Sequence, residues 1–189
     1  GTMVAGVTVV SSNPDIGGSR ASMAMMAAEV LGLPIEKVRC TVADTTSIGF
    51  SGSTGGSRVT FATGMAVCQA AEKVVADLKR RAAATWECDI ANVEWRDGAA
   101  VCTDPAKDVK PLSMKALASK SAKTGGPIAS EVSINAQGAA AGYGAHICDL
   151  EIDRETGRTT IVRYTAAQDV GRAIHPSYVE GQLQGGAAQ

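Results

Sequence analysis

The sequence predicts an α+β fold, a mixed sheet with helices packed on it. Two observations carry that prediction. The first half reads strand–helix–strand–helix, and the second half carries two hairpin signals. Composition agrees: of 189 residues, 45% are hydrophobic and 20% charged, a balance that supports a buried core.

Residues 4–11 are rich in Val and Thr and read as a strand. The run Asn13-Pro14-Asp15-Ile16-Gly17-Gly18 punctuates it as a turn. Ser19 then stands where a helix N-cap belongs, and Gly32 and Pro34 end the helix after about Leu31. Residues 38–43 read as the next strand. The loop 44–57 is polar, lacks apolar periodicity and holds four glycines. A long helix is predicted from about 58–60 to Trp86, because Val67, Ala71, Val74, Val75, Leu78 and Ala82 share one helical face. Asp77 and Arg81, four apart, are expected on its outer face. Lys79, Arg80 and Arg81 read as a solvated helix end, favoured by the macrodipole.

Residues 92–95 and 99–102 flank Arg96-Asp97-Gly98, a hairpin signal. A short helix over 112–121, a loop over 123–127 and an alternating strand over 128–135 follow. Residues 139–144 form a small-residue joint. A second hairpin, 146–153 with 159–166, closes around Arg154-Glu155-Thr156-Gly157. The last element is a helix entered from the loop at 169, with Pro176 in its first turn. This organisation divides the chain into a first lobe, 1–130, and the start of a second, 131–189. The chain opens on an apolar run and closes inside an unfinished helix, so it reads as a piece of a longer polypeptide.

Charge and composition exclude several functions. Eighteen Lys+Arg against nineteen Asp+Glu give a net charge of −1, which offers no electrostatic footprint for nucleic acid. No apolar run approaches the roughly 20 residues of a membrane span. Five cysteines at wide spacings form no CxxC pair, and the two histidines form no metal-binding pattern, so no intrinsic metal is expected. Free thiols fit a reducing, cytoplasmic compartment. Ala and Gly together fill more than a quarter of the chain, which lets backbones approach one another or a ligand closely.

The chemistry is expected in two glycine-rich loops, each at the start of a helix. Unpaired N–H groups there carry partial positive charge and suit anionic or electron-rich ligand groups. The first is Asp15-Ile16-Gly17-Gly18-Ser19-Arg20; the second is Ser51-Gly52-Ser53-Thr54-Gly55-Gly56-Ser57-Arg58. Neither matches a Walker loop or GxGxxG. Ser19 and Ser57 suit helix caps better than nucleophiles, and Glu29, Glu72 and Glu131 have no marked partner for base catalysis. On residues alone, a self-contained nucleotide-binding α+β module and a purely structural domain stay open.

The loops and the tail together resemble the molybdopterin-binding large subunit of the molybdenum hydroxylases: the xanthine dehydrogenase, aldehyde oxidase and carbon monoxide dehydrogenase family. The matching stretches run in family order. They are Asp15-Ile16-Gly17-Gly18 with Ala27-Ala28-Glu29-Val30-Leu31-Gly32-Leu33-Pro34; Asp44-Thr45-Thr46 with Thr54-Gly55-Gly56-Ser57-Arg58; Gly144-Ala145-His146 with Glu151-Ile152-Asp153-Arg154-Glu155-Thr156-Gly157; and Asp169-Val170-Gly171-Arg172-Ala173-Ile174-His175-Pro176 with Glu180-Gly181-Gln182 and Gln189.

The resemblance implies an oxidoreductase that hydroxylates aldehydes, N-heteroaromatic rings or similar small molecules. It implies a molybdenum–molybdopterin cofactor, in its cytosine dinucleotide form, with electrons passing to 2Fe–2S clusters and FAD on other domains or subunits. The implied partners are the remainder of the large subunit, iron–sulfur and flavin subunits, and the small-molecule substrate. By position, Ile16, Gly17 and Gly18 match the loop that approaches the pterin. Gly55, Gly56, Ser57, Arg58, Val59 and Thr60 match the second cofactor loop, and Gln189 matches a glutamine near the pterin. Two departures stand out. The family's Gly-Gln-Gly is here Gly17-Gly18-Ser19, so Gly18 lacks the expected amide, and His175 stands where Asn is common, as a structural helix entry. The upstream GGGFGGK-type loop and the Gly-Glu segment bearing the catalytic base are not in these residues. The catalytic glutamate is therefore expected outside this chain, and the isolated chain is expected to be inactive, without cofactor.

Overall fold

The computed structural model describes residues 6–48, 51–138 and 141–189. The first residues of the predicted opening strand, Gly49 and Phe50 of the polar loop, and Ala139 and Ala140 of the small-residue joint lie outside that set. The chain forms two compact units, Gly1–Gln137 and Gly138–Gln189. The α+β reading holds, with one parallel strand pair, an antiparallel three-stranded sheet and an antiparallel hairpin.

In the first unit, β1 (Val7–Ser11) pairs in parallel with β2 (Val38–Val42), joined by α1 (Ser19–Leu31). A parallel pair requires such a crossover, and the helix covers one face of the pair. Met23, Ala24, Ala27 and Ala28 of α1 form a core with Val38 and with Val67 of the next helix. The N-cap of α1 is Gly18, in the left-handed region, rather than Ser19, which is the first helical residue. Gly32 ends α1 as expected, also left-handed, and Leu33 N–H bonds Ala28 O at 2.9 Å.

The predicted long helix opens with a π-turn, Val59–Thr63, and continues as α2, Gly64–Trp86. Its apolar face buries Val67, Ala71, Leu78, Ala82 and Trp86. The second core joins Leu78, Ala82, Ala83 and Trp86 to Val93, Ala100 and Leu117. It packs α2 against β3 (Val93–Arg96), β4 (Ala99–Cys102) and α3 (Met114–Ser119). The β3–β4 turn has Asp97 at φ 47° and Gly98 at φ 72°, the two positive angles that a tight two-residue hairpin demands.

Three expectations are corrected. Arg81 is not on the outer face: its side chain is 3% exposed. It donates to Asp77 Oδ2 at 2.6 Å, Gly126 O at 2.7 Å, Thr124 Oγ1 at 3.3 Å and Pro127 O at 3.3 Å. The helix over 112–121 is split into β5 (Leu112–Ser113), which pairs with β4, then α3 and α4 (Ser121–Thr124). Ser113 supplies the α3 cap, its hydroxyl accepting from Ala116 N–H. Residues 128–135 form no strand. Their alternation reflects an extended segment laid along α2, where Ser130 Oγ donates to Ala70 O at 2.8 Å and Lys73 Nζ to Glu131 O at 3.4 Å. An alternating pattern makes a strand only where a neighbouring strand accepts its N–H groups.

The second unit is the hairpin β6 (Tyr143–Ile152) and β7 (Thr159–Asp169), followed by α5 (Pro176–Ala188) with Pro176 at its first position. β6 begins before the predicted 146 and ends at Ile152, one residue short of the predicted end, and β7 starts as predicted and runs past 166. A register shift leaves Val162 as an extra residue between the pairs Asp149↔Arg163 and Leu150↔Ile161. Cys148, Leu150 and Ile152 thereby share a face with Tyr164 and Ile161, while Asp149, Arg163, Glu151 and Thr160 lie on the other.

Candidate functional site

The first glycine-rich loop is shaped by its own acid. Asp15 Oδ1 accepts the backbone N–H of Arg20 at 2.9 Å, and Oδ2 accepts Arg20 Nε at 2.7 Å. The Arg20 N–H bond and the Arg20 side chain hold the Asp15 carboxyl below its usual range. Asp15 therefore supplies the negative charge that the start of α1 favours. Ser19 Oγ donates to Pro14 O at 3.3 Å. Gly17 (φ 62°) and Gly18 (φ 73°) are consecutive left-handed residues that turn the chain into the helix, and Ile16 stands exposed at the tip.

The second loop repeats this entry. Gly56 (φ 63°) and Ser57 (φ 55°) are again consecutive and left-handed, and Arg58 follows in the right-handed region. A left-handed residue followed by a right-handed one turns successive N–H groups to one side, an arrangement that receives anions. No acid stands anywhere in residues 51–60. The N–H groups of Gly55 and Gly56 make no hydrogen bond to another described residue. A Cβ at either glycine would meet nothing within 4 Å, so this edge of the loop is open. The Arg58 guanidinium folds back over the loop, Nη1 lying 3.2 Å from where a Cβ on Gly52 would be. Val59, the first residue of the π-turn, is buried, and Thr60, the second, is exposed. Ser57 makes no capping hydrogen bond, so the cap expected of it is not formed.

The two loops are brought together by Asn13, a residue that nothing in its local sequence singles out. Asn13 Nδ2 donates to Thr63 Oγ1 at 2.6 Å, and Thr54 Oγ1 donates to Asn13 Oδ1 at 3.4 Å. Asn13 thus links the end of β1 to the second loop and to the π-turn. Its only sequence signal is the Asn-Pro turn pair, which says nothing about partners 41 and 50 residues away. Asp15 is likewise legible in the sequence only as a turn residue. Gln189 belongs to the second unit, where its N–H caps α5 on Gly185 O at 3.2 Å. His175 is the N-cap of that helix, stacked on Tyr178 with ring centroids 3.7 Å apart.

Chemically, the second loop offers donors and a cation with no competing carboxylate, and so fits a ligand with phosphate or other anionic groups. Among the described residues no three His, Cys, Asp or Glu side chains come together to hold a metal ion. A metal carried by an organic ligand needs no such cluster, only a grip on the ligand. Open glycine backbone with free N–H groups supplies a grip of that kind, and the residues present fit a pterin cofactor with a phosphate tail.

The model of one protein family, described as the molybdopterin cofactor-binding domain, matches residues 3–189. The chain belongs to that family. Among relatives of this domain, the carbon monoxide dehydrogenase large chain of Hydrogenophaga pseudoflava is 28% identical over 175 residues, covering 91% of this chain and 22% of that protein. The nicotine 6-hydroxylase large subunit of Paenarthrobacter nicotinovorans is 27% identical over 190 residues, covering 97% and 23%. The crystal structure of a Cu,Mo-CO dehydrogenase in its carbon monoxide reduced state superposes with a TM-score of 0.81 at 27% identity, covering 95% of this chain and 23% of that one. This molybdopterin-binding domain thus spans less than a quarter of the length of these relatives. A self-contained nucleotide-binding module is not favoured by these likenesses.

Proposed function

We propose that the chain is part of the molybdenum-cofactor-binding subunit of an oxidoreductase that hydroxylates aldehydes, N-heteroaromatic rings or similar small molecules. The observation that carries the reading is the acid-free second loop, open at Gly55 and Gly56, inside a domain of the molybdopterin-binding family. The cofactor would be molybdenum–molybdopterin, in the cytosine dinucleotide form. When bound, it supplies the redox-active metal that accepts electrons from the substrate.

The chain's own residues hold and orient. Gly55, Gly56 and Ser57 present backbone N–H groups, and Arg58 brings positive charge to an anionic tail. Val59, whose side chain is buried, is assigned a contact through its backbone, and exposed Thr60 continues the contact surface into the π-turn. Ile16, Gly17 and Gly18 offer backbone and an apolar tip to the pterin face, with Asp15 already occupying the α1 terminus. Gln189 is assigned an amide contact to the pterin. No residue of this chain is assigned the role of base; the family glutamate is assigned to the remainder of the large subunit.

That remainder is also proposed to cover the apolar face of the β6–β7 hairpin. In support, Leu150, Ile152 and Ile161 are 50–64% exposed, and the chain covers under a quarter of its relatives. Iron–sulfur and flavin subunits carrying 2Fe–2S clusters and FAD complete the electron path in this reading. The compartment is the cytoplasm, which suits five free cysteines.

The test is molybdenum and pterin analysis of the protein purified with its natural partners, beside a Gly56→Val variant. Stoichiometric molybdenum and pterin in the parent, and loss of both in the variant, are expected. A parent that carries neither overturns the reading.

A further inference from the structure

We propose that Asn13 is a positioning residue, whose carboxamide, shared between Thr54 and Thr63, sets the shape of the second glycine-rich loop. The inference rests on the reading that this loop holds the cofactor. A glycine-rich loop with open edges has many conformations, and beyond Arg58 over Gly52 it has little side-chain packing to choose among them. Something outside the loop must choose.

Among the described residues, two side-chain hydrogen bonds join residues 11–13 to the segment 54–63, and both belong to Asn13. Its own placement is firm: its N–H donates to Ser11 Oγ at 3.2 Å, and Ser11 is buried at the end of β1. Ser11 O in turn accepts Ala43 N–H at 2.9 Å, just past β2. Position therefore passes from the parallel strand pair, through Asn13, to Thr54 within the loop and to Thr63 at the end of the π-turn. Thr54 lies just before Gly55 and Gly56, and Thr63 closes the π-turn after Thr60. The glycines and Arg58 sit between the two anchors. π-turns occur often at functional sites because they displace a short segment from regular helix, and here that segment is one that Asn13 fixes.

The chemistry of the carboxamide explains the residue. It offers a donor and an acceptor from one rigid plane, matching one hydroxyl that accepts and one that donates. A carboxylate can replace it only if both threonines donate, which their hydroxyls can do by rotation. Alanine can do neither. These differences separate positioning from a general loss of fold.

The experiment is amide hydrogen exchange on the full protein expressed from its own gene with its natural partners, with molybdenum and pterin content measured on the same samples. In Asn13→Ala, exchange across residues 54–63 is expected to rise about tenfold, as suits loss of two part-buried hydrogen bonds, with α1 and β3–β4 unchanged. Asn13→Asp is expected to restore loop protection yet to carry less cofactor than wild type, because it places a carboxylate beside an anion-binding loop. Thr63→Val, a milder change, is expected to speed the same amides and to add less than its own effect in the double variant with Asn13→Ala. Unchanged exchange in Asn13→Ala, or strict additivity with Thr63→Val, overturns the positioning role. Cofactor content at the wild-type level in Asn13→Ala, despite faster exchange, also overturns it, because the loop's shape then does not govern binding. Wild-type protein lacking molybdenum and pterin overturns the functional reading instead, and the exchange arm still decides whether Asn13 sets the loop.

Discussion

Single residues in this chain are tuned by what covers them. Burial pushes the thiols of Cys40, Cys68 and Cys88 above their ordinary range. At Cys68 the carboxylates of Glu72 and Glu29 add to the shift, and at Cys88 contact with Cys102 does the same. A raised thiol pKa leaves less thiolate at neutral pH, and thiolate is the nucleophile. Cys148 lies exposed on the hairpin. Alkylation with iodoacetamide at pH 7, followed by mass spectrometry, should therefore label Cys148 first and the three buried-side thiols slowly. Labelling of the three should accelerate as pH rises toward their shifted values. Equal rates at all four positions would show that these thiols are not shielded. Arg81 shows the same principle for a cation: it is tolerated inside because Asp77 and two backbone carbonyls satisfy it.

At the level of elements, the joints tolerate less change than the elements they connect. Gly32 ends α1 at φ 64° directly against the β3–β4 turn, and a Cβ there would lie 2.7 Å from Gly98 N. Gly98, at φ 72°, would in turn place a Cβ 2.8 Å from Leu33 Cδ2. Trp95 Nε1 donates to Leu31 O at 2.9 Å across the same contact. This backbone-to-backbone approach packs the parallel pair's helix onto the antiparallel sheet. Gly32→Ala meets both a left-handed backbone and a fixed main-chain neighbour. It should cost about 2–3 kcal/mol, the sum of a left-handed penalty and a clash that backbone cannot relieve cheaply. Urea denaturation checks this, and a loss below about 0.5 kcal/mol, the level of an ordinary surface change, would mean the turn can withdraw. The extra residue Val162 is the counterpart in the second unit, since it puts Ile161 on the same face as Leu150 and Ile152.

At the largest scale, the second unit gathers large apolar side chains on one face of its hairpin. Leu150, Ile152, Ile161 and Tyr164 are 45–64% exposed on one face of a hairpin. Two strands alone do not hold such a face in water without a covering layer. The 189-residue chain by itself is expected to associate with rising concentration, and Leu150→Lys with Ile161→Lys to weaken that association. Light scattering over a concentration series reads both. A strictly monomeric parent would mean that this face is covered by another part of the same chain.

The sequence by itself determined the elements whose signals are local. The Gly32 stop of α1, the Asp97-Gly98 hairpin, the apolar face of α2 and Pro176 at the start of α5 each follow from the preferences of a few adjacent residues. Motif order along the chain was enough to suggest the family, because short glycine-rich stretches in a fixed order are legible without any tertiary contact. Tertiary structure decided what depends on distant partners. Residues 128–135 have a strand's alternation and no strand to pair with, so they lie against α2 instead. Arg81 carries a surface residue's charge, but the 124–127 segment folds over it. Nothing local to Asn13 distinguishes it from other turn asparagines. Its role exists only because the fold brings Thr54 and Thr63, far along the chain, to within hydrogen-bonding distance of one carboxamide.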